Sequence, residues 1–140
     1  MRATATTVVK KPVDHVWSVL ADHEGMSSWG PGVTVTLDKE GAPERNGVGA
    51  VRRISAPGPM PAIVELVTAF EPGERLGYKA VGGVPFRNYH GEVLLSPVAG
   101  GTRVEYTVSL EVPVIGFIGV VPSNAIAHTL LRLLARAAAR

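Results

Sequence analysis

Thr102-Arg103-Val104-Glu105-Tyr106-Thr107-Val108-Ser109-Leu110-Glu111-Val112 is the stretch that decides the fold. Val104, Tyr106, Val108, Leu110 and Val112 alternate with Arg103, Glu105, Thr107, Ser109 and Glu111, a period of two without a break. A segment of this kind is a strand with one face buried and one wet, and it requires neighbouring strands and an apolar cover.

Upstream, five further segments read as strands: Val33 to Asp38, Gly47 to Ala56, Pro61 to Glu71, Arg75 to Val81 and Tyr89 to Ser96. They are separated by Pro57-Gly58-Pro59, Pro72-Gly73, Gly82-Gly83 and Gly100-Gly101, turn formers that leave little room for anything but short connections. Nearer the N-terminus, the Thr- and Val-rich Ala3 to Val9 reads as another strand, and Pro12 opens a helix whose Val13, Val16, Trp17 and Leu20 share one face. A second short helix follows, with Asp22 as its cap and Met26 and Trp29 buried, ended by Gly30-Pro31-Gly32.

Downstream the period changes. Ile126, Leu130, Leu133 and Ala137 form one stripe, and His128, Arg132, Arg136 and Arg140 another, so the C-terminus is an amphipathic helix. Started at Ser123 it is about 27 Å long, and started near Ile115 with a kink at Pro122 about 39 Å. The longer form is the expectation.

Strands joined by short turns pair antiparallel, and a lone amphipathic helix must cover their apolar face. The order therefore predicts an α+β domain over residues 1–140, in which a curved seven-stranded antiparallel sheet wraps a long C-terminal helix and two short helices follow the first strand. One helix, about 10–12 Å across, does not fill the concave side of such a sheet, which predicts an internal, largely apolar ligand cavity.

The composition fits a soluble globular domain: 140 residues, 46% hydrophobic and 19% charged. The absence of cysteine removes disulfides, thiolate nucleophiles and sulfur-ligated zinc, and makes a reducing cytoplasm the expected location. No secretory signal is read at the N-terminus, and the apolar run Val112 to Pro122, broken by Pro113, Gly116 and Gly119, is too short to span a bilayer. The net charge of +2 comes from dispersed basic residues, which argues against nucleic acid as a partner. His15, His23, His90 and His128 show no metal spacing. Gly47-Val48-Gly49 lacks the third glycine of a dinucleotide fingerprint and leads into a strand, and neither a GxSxG elbow nor a P-loop occurs. No metal or cofactor is expected.

Alternation selects the candidate site. Arg52 points inward with Val48, Ala50 and Ile54, while Gly49, Arg53 and Ser55 face water. A buried guanidinium needs a partner: a ligand carboxylate or enolate oxygen on one reading, Glu65 of the neighbouring strand or a snorkelled position on another. Tyr78, Tyr89 and Tyr106 also point inward, offering apolar rings and hydroxyls, either to a ligand or as ordinary core residues. On the sheet side the expected cavity wall is Val35, Arg52, Leu66, Tyr78, Tyr89, Val93, Tyr106 and Val108. Trp29, Phe117, Ile126 and Leu130 complete it. Arg52, Tyr106, Glu65 and His90 are the weak candidates for catalysis, although alternation turns His90 outward unless a bulge reverses it. His15 and His128 are expected to be solvated.

The chain resembles the SRPBCC superfamily, which includes START, Bet v 1 and the polyketide cyclase/dehydrase relatives. The resemblance is carried by Pro12-Val13-Asp14-His15-Val16-Trp17 with Trp29, Gly49-Ala50-Val51-Arg52-Arg53-Ile54, Glu65 to Pro72 with Leu76 and Tyr78, Tyr89-His90-Gly91-Glu92-Val93, and Gly101 to Tyr106. It implies a helix-grip fold with a cavity for a hydrophobic small molecule and no single catalytic apparatus. The leading expectation is binding or carriage of a lipid or polyketide-like molecule. The alternatives are a cofactor-free cyclase or dehydratase, and a protein-interaction module using the apolar segment Val114 to Val121. Transient membrane contact and a homodimer are carried as further alternatives.

Overall fold

The computed structural model describes residues 2–29, 32–59, 61–84, 87–111 and 123–139, with side chains in the last segment described from 128 onward. Seven strands, β1 (Arg2–Val9), β2 (Thr34–Lys39), β3 (Val51–Ser55), β4 (Ile63–Glu71), β5 (Arg75–Gly82), β6 (Arg87–Val98) and β7 (Gly101–Glu111), form one curved antiparallel sheet. Its order is β1-β7-β6-β5-β4-β3-β2, so every consecutive pair from β2 to β7 is adjacent and β1 closes the far side on β7. Helix α1 (Val13–Ala21) and a 3-10 turn (Glu24–Ser28) follow β1, and α2 (Ser123–Ala138) packs against β1, β7 and α1. This is the helix-grip arrangement that the order of elements predicts.

The alternation of β7 holds in detail: Val104, Tyr106, Val108 and Leu110 are buried and Arg103 is exposed. Val104, Val93 and Val108 are fully buried, and each such side chain contributes roughly 1.5–3 kcal/mol relative to exposure. Helix α1 starts behind Pro12, whose fixed φ suits that position, with Val16 and Leu20 in the core and the Trp17 ring edge-on to Phe70 at 5.2 Å. The Asp22 carboxylate accepts the Gly25 N–H at 3.1 Å, supplying the cap expected for the next turn. Met26 and Trp29 are buried as expected.

Three local expectations are corrected. β3 begins at Val51 and not at Gly47, because Gly49 has φ +92 and both Gly49 N and Ala50 O bond to Val67, a bulge that leaves Val48 exposed. Among the described residues of α2, Leu131, Leu134, Ala137 and Ala138 are buried and Leu130 and Leu133 half-buried, so Ala137 of the expected stripe is in the core but the stripe's other described positions are displaced by Leu131 and Leu134. Five apolar residues in the run Leu130 to Ala135 permit either phase, and packing on β1 and β7 selects one. His15 is not simply solvated: its Nε2 donates to the Ala138 carbonyl at 2.8 Å and satisfies one open acceptor at the end of α2. The expected helical portion from Ile115 to Pro122 lies outside the described residues.

Candidate functional site

The concave face is built by register. Arg52 stands opposite Glu65 on β4 and Leu37 on β2, Val67 opposite Tyr78, Tyr78 opposite Gly91, and Val93 opposite Tyr106. Directly opposed residues share a face, so Arg52, Glu65, Tyr78 and Tyr106 all point inward, and all are buried. Tyr89 joins them by alternation, two residues before Gly91 on β6, and the register shift between Arg87 and His90, with Asn88 at φ +51, leaves its inward face unchanged.

Arg52 meets Glu65 Oε1 twice, from Nε at 2.8 Å and from Nη2 at 2.7 Å. Its Nη1 donates to His23 Nδ1 at 3.1 Å, and its guanidinium carbon lies 4.7 Å from the centre of the Tyr78 ring. Of the readings open for Arg52, the internal pair with Glu65 is the one found, so a ligand carboxylate would have to displace Glu65 from it. Burial is the largest single influence on Arg52 and works against its charge, but the Glu65 carboxylate together with Tyr78 and Tyr106 leaves the guanidinium pKa above its usual value.

His23 was not a site candidate on sequence, yet it is fully buried at the centre of this cluster. Its Nε2 donates to the Asn46 carbonyl at 2.8 Å while Nδ1 accepts from Arg52, which fixes the neutral tautomer. Burial, then the neighbouring Arg52 charge, lower its pKa to about 4. The Asn46 amide donates to the Ala21 carbonyl at 2.8 Å, tying the β2–β3 connection to the end of α1. No periodicity marks either residue, because each sits in a connection and is placed by contacts distant in sequence.

Beside the ion pair, the Tyr78 and Tyr106 hydroxyls are 2.6 Å apart. Burial raises the pKa of both well above the usual phenol value and that of Tyr89 to about 12, the last against a hydrogen bond with Tyr78. All three phenols are therefore un-ionised near neutral pH and serve as hydrogen-bond donors and acceptors. The Tyr78 ring lies directly over Gly91: a Cβ at that glycine would sit 2.4 Å from Tyr78 Cζ and 2.5 Å from its hydroxyl oxygen.

Val35, Val93 and Val108 are buried in the core as the cavity wall requires, and Leu130 is half-buried against it. Leu66 is a correction: it lies opposite Val51 and Lys79, on the other face of β4 from Glu65 and Val67, and is only half-buried. Strand alternation allows no other placement once Glu65 faces inward. Trp29 lines an open groove of about 420 Å3 with Val19, Asp22 and Ala137, between α1, the 3-10 turn and the end of α2. His90 is exposed and faces outward. Phe117, the Ile126 side chain and the apolar segment Val114 to Val121 lie outside the described residues. Among the described residues no cluster of potential metal ligands occurs, and no helix is long and apolar enough to cross a membrane.

The model of one protein family, polyketide cyclase / dehydrase and lipid transport, matches residues 1–140. The chain belongs to this family. Among solved structures, this polyketide cyclase/dehydrase and lipid transport family member is similar to Ara h 8.0201, at TM-score 0.74 and 12% identity, covering 99% of this chain and 95% of that one. It is also similar to a START superfamily protein from Mycobacterium smegmatis, at TM-score 0.74 and 16% identity over 99% and 94% of the two chains. A protein from Chromobacterium violaceum superposes at TM-score 0.70 with 17% identity over 99% and 97%. At these identities the likeness is one of fold. No curated protein matches the family member's sequence.

Proposed function

We propose that the chain binds a largely apolar small molecule bearing a hydroxyl or carbonyl oxygen, lipid- or polyketide-like, against the concave face of its sheet. The observation that carries this reading is the pair of buried hydroxyls of Tyr78 and Tyr106, joined at 2.6 Å on a face that also holds the Arg52–Glu65 pair and Tyr89 and whose other buried residues include Val35, Val67, Val93 and Val108. Un-ionised phenols hold a ligand oxygen in a fixed place without asking it for charge. The ion pair beside them is internally neutralised, so the site favours a neutral head group over an acid. Affinity then comes from apolar area removed from water, at roughly 25 cal/mol per Å2. Membership of a family described by cyclase, dehydrase and lipid-transport activities supports the same ligand class.

The test pairs native mass spectrometry of the purified protein with titration of prodan, a fluorescent naphthyl ketone. We expect a releasable neutral small molecule or saturable prodan binding, weakened roughly five- to tenfold in Tyr78→Phe/Tyr106→Phe by the loss of one or two hydrogen bonds. A protein that carries nothing and gives no saturable prodan signal would refute the reading.

One observation favours a second reading, a cofactor-free cyclase or dehydratase. Both Arg52 contacts fall on Glu65 Oε1, so Oε2 makes no hydrogen bond among the described residues. A carboxylate oxygen with no hydrogen bond, on a side chain only 5% exposed and beside phenol donors, is placed to take a proton from carbon next to a carbonyl while the phenols hold the enolate. Turnover of a poly-β-ketone substrate checks this reading, and none by the folded protein would remove it.

A further inference from the structure

We propose that the outer face of the sheet carries a separate site for a phosphoryl anion of the di- or triphosphate class, laid across β5, β6, β7 and β1. Lys79 stands opposite His90, His90 opposite Ser109, and Ser109 opposite Arg2. Opposed residues share a face, so four side chains form one transverse row, about 4.8 Å per strand and about 14 Å from end to end. Lys79, His90 and Arg2 are exposed and Ser109 is half-buried, all on the side of the sheet away from Tyr78 and Tyr106.

Three hollows meet at His90. A groove of about 680 Å3 is lined by Gly77, Lys79, His90 and Glu92 and also touches the neighbouring strand positions Tyr78 and Tyr89, and two smaller ones of about 150 and 270 Å3 are each lined by Arg2, His90 and Ser109. Gly77 occupies the next row, opposite Glu92, where a side chain would otherwise stand over the groove.

The charges are available. Elsewhere on the sheet Arg53 is held by Asp38, Arg75 by Glu71 and Glu92, and Arg103 by Glu105. Lys79 and Arg2 make no ion pair among the described residues. His90 is oriented by donation from Nδ1 to the Asn88 carbonyl at 2.8 Å, which leaves Nε2 without a partner among the described residues, as is the Ser109 hydroxyl. Two carboxylates border the row and line the hollows: Glu92 is bound to Arg75 at 2.8 Å, whereas Glu111, opposite Arg87 in register, makes no ion pair among the described residues and is the repulsive element an anion would have to avoid. What remains is a cation at each end with an imidazole and a hydroxyl between, the donor set that charge-assisted bonds to phosphoryl oxygens require. The length of the row matches a chain of phosphoryl groups better than one carboxylate.

The experiment is a 15N NMR titration of the whole protein with inorganic tripolyphosphate, with sulfate at matched ionic strength as control and phosphatidylglycerol vesicles as a separate arm. Saturable shifts at Lys79, His90, Ser109 and Arg2 are expected, absent with sulfate. Lys79→Met with Arg2→Met should weaken association roughly tenfold or more, since two charge-assisted contacts are lost, while these exposed changes leave the melting temperature in place. Unsaturable shifts, equal affinity in the double variant, or binding to vesicles alone would each overturn the proposal.

Discussion

Gly91→Ala tests the geometry on which the tyrosine site depends. The added Cβ would lie 2.4 Å from Tyr78 Cζ, 2.8 Å from Cε1 and 2.5 Å from the hydroxyl oxygen, against an optimal carbon–carbon separation of about 3.5–4.0 Å. The ring must therefore move by about 1 Å or more. It is poorly free to do so, because Arg52 lies 4.7 Å from its centre and its hydroxyl is bonded to Tyr106 at 2.6 Å. Overpacking of this kind costs about 1–3 kcal/mol, and loss of the hydroxyl bond adds about 1 kcal/mol, so the variant should be destabilised by about 2–4 kcal/mol. For a domain of this length that corresponds to a fall in melting temperature of roughly 6–15 °C. Urea denaturation followed by circular dichroism measures it, with an unchanged slope expected. In a Tyr78→Ala background the ring is gone, and the same glycine substitution should cost under about 1 kcal/mol, a coupling that a double-mutant cycle isolates. A Gly91→Ala variant within about 0.5 kcal/mol of wild type, or one whose cost survives Tyr78→Ala, would refute the reasoning.

Glu65→Gln strands the buried Arg52 charge and should destabilise by about 3–5 kcal/mol, whereas Arg52→Met with Glu65→Leu should be markedly milder; chemical denaturation of the three proteins compares them, and a near-neutral Glu65→Gln would count against the pair. His23 gives a pH dependence of definite sign. Its pKa is about 4 when folded against 6.5 unfolded, so the unfolded chain takes up the proton first as pH falls. The neutral folded histidine carries its full stability above pH 6.5, and up to about 3 kcal/mol is lost between 6.5 and 4. His23→Gln should flatten the stability profile across that window, and an identical slope in both proteins would exclude His23 as its source.

By itself the sequence determined what depends on local geometry. The unbroken period of two in Thr102 to Val112, the turn formers between segments and the change to helical spacing after Pro122 were enough for seven strands, their antiparallel pairing and the covering helix. They also turned Arg52, Tyr78, Tyr89 and Tyr106 inward, because a side chain's face follows from its position in the strand. Where alternation is broken by a single residue, as by the left-handed Gly49 or the bulge at Asn88, the sequence offers no count of which strand gains the extra residue. The rotation of α2 was misjudged for a similar reason, since Leu130, Leu131, Leu133 and Leu134 can bury either of two faces and the expected stripe puts Leu130 and Leu133 innermost. What only the tertiary structure decided is partnership: that Arg52 spends its charge on Glu65, that His23 and Asn46 come from two connections to close the cluster, and that Gly91 gives Tyr78 room to reach Tyr106. Such contacts join residues 13 to 29 positions apart, and they are set by strand register and chain closure, which no local pattern encodes.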